Sequence, residues 1–350
     1  MSENGKVGEK VEKMLMKRFL TSELRRSLEG VTADCGFTLD DIVRSGMENP
    51  DSAIGLYAGD EDCYKKFAAL FDKIIEAYHR YRPNGIHKRN WSVADLPDMS
   101  HLSKWEGRIL STRIRVGRNI KGFDFPPAIS AENRIMLEKD VEKILTGLKG
   151  GLVGNYYPLS GMRENMREKL TRDHFLFKDD DPFLKSAGGC RDRPSGRGIY
   201  HSFDKRFLVW VNEEDTLRII SMQRGGDIKE VFERLAWAIN TIEEKITFSF
   251  NDHLGYLSSC PTNLGTAMRA SMHIKLGNIC HRDDFVEICD GMQLSVRGLH
   301  GEHTAFAGGV YDISNKQRLG VTEIDCVKIL CKGVNDLLAM DIEESPDCRN

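Results

Sequence analysis

The sequence has no long hydrophobic run and no paired cysteines. No apolar stretch approaches the ~20 residues that cross a bilayer as a helix, so we expect no membrane partner. Residues 1–30 are charged throughout and lack the apolar segment of a secretory signal. The nine cysteines are scattered from Cys35 to Cys348 without a C-x-x-C pair, as is typical of reduced cytoplasmic thiols. This spacing argues against a disulfide framework or a zinc site, and we expect a cytoplasmic protein without a metal held by its side chains.

A strong excess of either charge is also missing. With 50 Lys and Arg against 53 Asp and Glu, the formal net charge is -3, which does not favour a nucleic-acid partner. The usual nucleotide loops are absent too: there is no G-x-x-x-x-G-K-[ST] and no kinase Gly-rich loop with its lysine and H-R-D set. If the chain binds a nucleotide, arginine side chains must hold the phosphates.

What the sequence does contain predicts an α+β protein. Helical spacing of apolar residues covers Val11–Leu28 and Tyr64–Tyr78, and no convincing strand precedes residue 105. The β-rich runs Arg206–Val211 and Leu217–Met222 are separated by a short loop and predict an antiparallel hairpin.

Helices at Asp227–Ile246 and Val321–Met340 follow the hairpin, the second with Thr322 and Asp325 spaced as a capping box. We therefore expect a small all-α N-terminal domain (residues 8–90) and a larger domain (residues 108–346) with an antiparallel β-sheet flanked by helices.

Arginines fall inside or beside the predicted strands. A single strand arginine is usually a rim charge, but several together indicate a bound polyanion, because unpaired buried charge is costly. The planar guanidinium matches phosphate oxygens and stays charged at any working pH. The arginines in question are Arg113, Arg115, Arg218, Arg269 and Arg297.

Two carboxylates and a thiol complete the candidate site. Glu214 lies in the hairpin loop and Glu302 in a glycine-bounded segment, and carboxylates from separate segments could grip a cationic guanidinium. One of them could also accept a proton. Cys260 precedes Pro261, and beside arginines its thiol could be partly ionised. Taken singly, such residues are more often solvated turn carboxylates and inert core cysteines.

Six motifs together resemble the phosphagen (guanidino) kinases, and the resemblance covers nearly the whole chain. They occur in the family order with compatible spacing: Ser111-Thr-Arg-Ile-Arg115, Asp173-His-Phe-Leu-Phe177, Ser195-Gly-Arg-Gly198, Val211-Asn-Glu-Glu-Asp215, Cys260-Pro-Thr-Asn-Leu-Gly-Thr266 and Gly301-Glu-His-Thr304. The resemblance implies a small helical domain before a larger antiparallel-sheet domain. It also implies transfer of the γ-phosphoryl group of ATP to a guanidinium.

The resemblance implies roles for individual residues. The five arginines would bind the nucleotide phosphates, with His174 at the adenine. Glu214 and Glu302 would clamp the guanidinium as catalytic residues, with Cys260 alongside. Mg²⁺ would be held mainly through phosphate oxygens and water. The remaining expected nucleotide contacts are Ser111, Ser271, His273 and His300.

The acceptor loop resembles that of the arginine-specific members. Its expected substrate-binding residues are Ser52, Ala53, Ile54, Gly55 and Tyr57. We expect L-arginine as the acceptor, giving phosphoarginine and ADP in an energy-buffering reaction. Another guanidino acceptor such as taurocyamine is the alternative, and a protein-arginine kinase or a non-catalytic nucleotide-binding scaffold is a less favoured one. Family members occur as monomers and homodimers, and the sequence does not choose between them.

Some positions depart from the family pattern. Ala53 replaces a glycine, Thr216 a histidine, Arg193 a tryptophan and His300 an arginine. Pro182 stands where an arginine is common, which could remove an ion pair with Asp51. These departures bear on substrate choice and turnover.

Overall fold

A computed structural model describes residues 14–177, 179–298 and 309–344. It contains a small helical domain followed by a larger domain built on one antiparallel sheet, so the predicted α+β fold is confirmed. Within these ranges, no helix is long and apolar enough to cross a membrane.

The N-terminal domain consists of short helices. In chain order, α1 to α5 are Leu15–Phe19, Ser22–Ser27, Leu39–Glu48, Cys63–Lys66 and Ala68–His79. The sequence predicted one helix over Val11–Leu28, and within its described part, from residue 14 on, this prediction was wrong. Thr21 adopts an extended conformation there and accepts a hydrogen bond from Leu24 N as the N-cap of α2. Phe67 likewise separates α4 from α5.

The larger domain contains an eight-stranded antiparallel sheet in the order β2-β3-β4-β5-β1-β8-β10-β9. Its strands are β1 Ile109–Arg118, β2 Gly154–Pro158, β3 Gly198–Ser202, β4 Phe207–Val211, β5 Leu217–Arg224, β8 Met268–Lys275, β9 Leu294–Gly298 and β10 Val310–Asn315. Strands β6 Phe250–Asn251 and β7 Gly255–Tyr256 form a separate ribbon. The predicted hairpin is β4–β5, with Phe207 opposite Ser221.

Helices flank this sheet on both faces. The domain's helices are α6 Ala131–Thr146, α7 Glu164–Arg172, α8 Pro182–Ser186, α9 Ile228–Glu243, α10 Phe285–Gly291 and α11 Glu323–Glu343. Short 3₁₀ helices lie at Val93–Asp95, Ser100–Trp105, Gly150–Leu152, Pro261–Asn263 and Ile279–His281. Helix α9 packs on β1 and β5, and α11 packs on β8 and β10.

Alternation along the central strands separates the core from the opposite face. Ile114 and Val116 of β1 are fully buried and lie opposite Ala270 and Met268 of β8, in one apolar cluster with α9 and α11. Because successive side chains point to opposite faces, the residues between them turn away from this core.

The two domains share an apolar cluster and several hydrogen bonds. Tyr64 OH donates to Ser258 O at 2.6 Å, and Ala58 N donates to Ser259 O at 2.8 Å. The buried His79 ring contacts Pro261 O through Nε2 at 2.8 Å. All three carbonyls belong to the segment around Cys260, so the helical domain helps to position that segment.

Asp341 fastens the end of α11 to the end of β8. Its buried carboxylate accepts hydrogen bonds from the backbone N–H groups of Gly277, Asn278 and Ile279, and it pairs with Arg108. Burial opposes ionisation of this group, but these donors and Arg108 outweigh it and lower the pKa of Asp341 below 3.8.

We expect Asp341→Ala to lower the free energy of unfolding by about 2–4 kcal/mol at neutral pH, because three backbone donors and a cation lose their partner. Urea unfolding at several pH values measures this. The folded pKa is depressed, so the contribution of Asp341 is present above the unfolded pKa and should disappear as the pH falls through the lowered value. The exposed Asp283→Ala is the control; an equal loss in both variants would contradict the assignment.

Candidate functional site

The sheet face opposite the core carries the arginines that the sequence singled out. Arg113 and Arg115 of β1 lie opposite Ser271 and Arg269 of β8, and Arg218 of β5 lies opposite Gly117. The same row continues across the neighbouring strands. Ser111 pairs with His273, His273 pairs with Asp312 of β10, and Asp312 pairs with Arg297 of β9. Residues far apart in the chain therefore share one face.

Two of these arginines form no ion pair within the described ranges. Neither Arg113 nor Arg115 forms an ion pair with a described carboxylate, and Nε of Arg113 is buried without a hydrogen-bond partner there. Burial, followed by the neighbouring guanidinium groups, lowers the pKa of Arg113 to about 10 and that of Arg115 well below its usual value. The face thus holds positive charge that an anion could compensate.

The other central arginines are fixed by acidic partners. Arg218 Nη2 lies 2.8 Å from Glu213 Oε2 and 3.0 Å from Glu214 Oε2. Arg269 donates to Asp312 Oδ2 at 2.7 Å and, through Nε, to Ser314 Oγ at 3.2 Å. Asp312 did not stand out in the sequence, although its position opposite His273 follows once the strands are paired.

Glu214 occupies an environment suited to proton transfer. Burial raises the pKa of its carboxyl to about 7, against the opposing effect of Arg218. A carboxylate poised near neutral pH can accept a proton and release it again.

Asp215, the next residue, joins the hairpin loop to the segment around Cys260. Its carboxylate accepts hydrogen bonds from Ser258 Oγ, Ser259 N and Asn119 Nδ2 at 2.8–3.0 Å. A Cβ at Gly117 would lie 2.5 Å from Asp215 Oδ2, so glycine is needed there for the close approach. Asp215 therefore holds the Glu214 and Cys260 segments together.

Cys260 is buried, and its Sγ lies 3.1 Å from Thr262 Oγ1. Burial and then the charge of Glu214 raise the pKa of this thiol, while the Thr262 contact lowers it. The expectation of a thiol partly ionised by arginines is therefore wrong for the site without substrate, because carboxylates are its strongest charged neighbours.

A relay that the sequence analysis missed reaches Glu214 from the end of β10. Arg318 Nη1 donates to Asn263 Oδ1, and Asn263 Nδ2 donates to Glu214 Oε2 at 3.1 Å. Asn263 belongs to the motif at residues 260–266, and Arg318 follows the strand that carries Asp312. The sequence signal that could have identified Arg318 is its position beside a strand, like that of the other arginines of this sheet face.

The C-terminal end of the segment 52–57 lies near Cys260 and Glu214. Ser52 Oγ accepts from Gly55 N at 3.0 Å, and the carbonyls of Ala53 and Ile54 accept from the backbone of α1. Tyr57 is buried, and burial raises its pKa.

Apart from the arginines, the expected nucleotide contacts that the structure describes lie on β1, on β8 and at the end of α7. His174 is exposed at the C-terminal end of α7, with φ 57°. Ser111 Oγ lies 3.0 Å from Nδ1 of His273, and Ser271 is buried between Arg113 and Ser314 in the strand pairing. Glu302 and His300 lie outside the described residues.

The departures at Thr216 and Arg193 are accommodated by hydrogen bonds. The buried Thr216 hydroxyl donates to Arg118 O and accepts from Ile120 N. Arg193 donates to Phe177 O at 2.7 Å.

The departures at Ala53 and Pro182 do not strain the backbone. Ala53 does not adopt a positive φ, and the glycine that does so in this loop is Gly55, at 77°. Pro182 occupies the first turn of α8, where Ser45 Oγ reaches Phe183 O at 2.8 Å and ties α8 to α3.

Comparison with known proteins identifies this combination of helical domain, arginine-bearing sheet face and hairpin carboxylate. The N-terminal domain of the ATP:guanido phosphotransferases matches residues 10–76, and their C-terminal catalytic domain matches residues 136–344. The chain belongs to the ATP:guanido phosphotransferase family.

Individual relatives agree with this assignment. Arginine kinase Oct f 2 of Amphioctopus fangsiao is 47% identical over 329 residues, covering 93% of each chain. The substrate-free duplicated taurocyamine kinase of Schistosoma mansoni superposes with a TM-score of 0.89 at 41% identity, over 96% of this chain and 48% of that one, so this chain spans about half its length. A lombricine kinase gives a TM-score of 0.88 at 37% identity, over 95% and 93% of the two chains.

We expect Glu214→Gln to stabilise the ligand-free protein by about 1–3 kcal/mol at pH 8, because the native carboxylate is ionised there in a partly buried position. With a folded pKa of about 7 against an ordinary 4.5, the carboxylate lowers native stability as the pH rises through this window. Urea unfolding of both proteins from pH 4 to 8 measures the effect. A stability difference that does not grow across this window would contradict the raised pKa. Glu233→Gln, which changes a partly exposed carboxylate of α9 away from the arginine face, is the control.

Proposed function

We propose that the chain transfers the γ-phosphoryl group of MgATP to the guanidinium of L-arginine, reversibly forming phosphoarginine and ADP. The observation that carries the proposal is the positive charge of Arg113 and Arg115. Neither forms an ion pair with a described carboxylate, and both lie on a sheet face that ends at Glu214. A triphosphate supplies the charge that this face lacks, since arginine forks match phosphate oxygens. Such a reaction would serve as an energy buffer.

In this reaction the arginine face positions the phosphates. Arg113, Arg115, Arg218, Arg269 and Arg297 would bind them and offset the charge that spreads over the phosphoryl oxygens in the transition state. Mg²⁺, bound through phosphate oxygens and water, would further neutralise this charge. His174 would lie at the adenine, with Ser111, Ser271, His273 and His300 along the nucleotide.

Glu214 would orient the guanidinium and accept its proton as nitrogen attacks phosphorus. Its raised pKa suits this exchange, and the relay from Arg318 through Asn263 holds one carboxylate oxygen in place. Cys260 would lie beside the substrate, where a guanidinium would favour the thiolate. Glu302 is proposed as the second clamp, and Ser52 to Tyr57 as the loop that reads the amino-acid end.

Arginine is favoured as the acceptor because the Amphioctopus protein is named an arginine kinase. The segment 52–57, with Tyr57, also resembles the loop of the arginine-specific members. The taurocyamine kinase likeness keeps that guanidino compound as the alternative. We propose that the protein acts in the cytoplasm as a monomer or homodimer, with no nucleic-acid or membrane partner.

A coupled ADP-release assay with MgATP and a panel of arginine, taurocyamine, creatine, glycocyamine and lombricine tests the proposal. We expect selective turnover of arginine. Preference for another compound would retain the phosphotransfer and reject arginine as the acceptor. ATP binding without turnover of any of them would reject the proposed reaction.

We expect Glu214→Gln to lower kcat by more than ~10²-fold, because it removes the charge that orients the guanidinium and accepts its proton. Steady-state kinetics with arginine and MgATP measure this. The control Glu233→Gln, at a partly exposed position of α9, should keep native kcat. Near-native turnover of the Glu214 variant would remove this residue from the mechanism.

We expect Arg115→Met to raise the ligand-free unfolding free energy by about 1 kcal/mol, since it removes a partly buried charge that is repelled by its neighbours. MgADP at about 100 times its native Kd should stabilise the native protein by ~2.7 kcal/mol and this variant far less. Urea unfolding with and without MgADP measures both effects. The exposed Arg26→Met is the control, and equal stabilisation of the Arg115 variant by MgADP would refute a phosphate contact.

A further inference from the structure

Two cysteines and an aspartate meet in the helical domain, away from the arginine face. One ligand atom each of Cys35, Asp60 and Cys63 lies within 4.8 Å of the other two. Within the described ranges, these are the His, Cys, Asp or Glu residues that cluster closely enough to hold a metal ion. Cys35 lies in the turn before α3, and Cys63 begins α4.

The backbone holds the three residues in place. Asp60 Oδ2 accepts from Cys35 N at 2.7 Å, and Oδ1 accepts from Cys63 N at 2.8 Å. Gly59 N donates to Cys63 Sγ at 3.3 Å, and a Cβ at Gly59 would lie 2.7 Å from Cys35 Sγ. Both sulfurs therefore pack around the Gly59 backbone, and a backbone N–H already points at one of them.

Several carboxylates that form no ion pair with the described residues surround the cluster. None of Asp60, Glu61, Asp62 and Asp124 forms an ion pair with a described residue. Glu61 Oε1 and Asp62 Oδ2 are buried without a described hydrogen-bond partner. Asp124 lies near enough to Asp60 for their charges to interact.

We propose that Cys35, Asp60 and Cys63 bind a zinc-type divalent cation, with water as the fourth ligand. Two thiolates and a carboxylate suit this borderline-soft ion. A tetrahedral zinc ion with bonds of about 2.3 Å to sulfur and about 2.0–2.2 Å to oxygen separates its ligand atoms by roughly 3.5–4 Å. The three ligand atoms already lie within 4.8 Å of one another, so binding would require them to approach only slightly further.

Access and consequence follow from the position of each residue. Cys63 is fully buried, whereas Cys35 is partly exposed and gives the ion a route from solvent. Binding of the ion to the two thiols would release their protons. The ion would join the Cys35 turn to the start of α4, next to Ala58, which bonds Ser259 O.

The test uses the reduced, chelator-treated full-length protein with Co²⁺ as a spectroscopic probe. We expect one equivalent of Co²⁺ with a thiolate charge-transfer band, displaced by one equivalent of Zn²⁺. Cys35→Ser should weaken Zn²⁺ binding by more than ~100-fold, beyond the 10–100-fold typical of outer-shell changes. Cys190→Ser, which alters a partly buried cysteine outside the cluster, should bind as the native protein does.

The proposed site would be overturned if the native protein showed no thiolate band with Co²⁺. It would also be overturned if the Cys35→Ser variant, shown by circular dichroism to be folded, kept the band. Because Cys35 is partly exposed, its replacement should preserve folding. As a second measurement, bound Zn²⁺ should slow formation of a Cys35–Cys63 disulfide by glutathione disulfide at least ~10-fold. An equal rate with and without Zn²⁺ would show that no ion occupies these thiols.

Discussion

Repulsion among guanidinium groups on one sheet face is the constraint on which the site depends. Arg113 and Arg115 lie side by side with Arg269 and Arg218, and burial keeps water from screening them fully. A protein keeps such an arrangement at a cost in stability, which a bound polyanion offsets. The apolar opposite face, packed on α9 and α11, holds the strands in this register despite the repulsion.

The acidic groups divide between balancing this charge and doing chemistry. Asp312 and Glu213 pair with Arg269 and Arg218 and fix those side chains. Glu214 shares Arg218, yet burial leaves its pKa near 7, so it can exchange a proton. Asp215, one residue further, serves structure alone by anchoring the segment around Cys260. Adjacent carboxylates thus differ in role because their partners differ.

Local patterns predicted much of the fold. The β4–β5 hairpin and the Thr322 capping box of α11 were confirmed, because both depend on residues close in sequence. The long N-terminal helix was predicted wrongly, since a cap at Thr21 interrupts the apolar spacing that suggested it. The domain bounds 8–90 and 108–346 stay predictions.

By itself, the sequence determined the chemistry available: arginines in strands, a hairpin carboxylate and the motifs of a guanidino kinase. Strand alternation even placed Arg113 and Arg115 on one face. Only the tertiary structure decided the remaining relations, because they join distant segments. Strand pairing brought Asp312 to Arg269, and burial set the pKa of Glu214 and reversed the expectation for Cys260. Folding likewise brought Cys35 to Cys63, which no sequence spacing predicts.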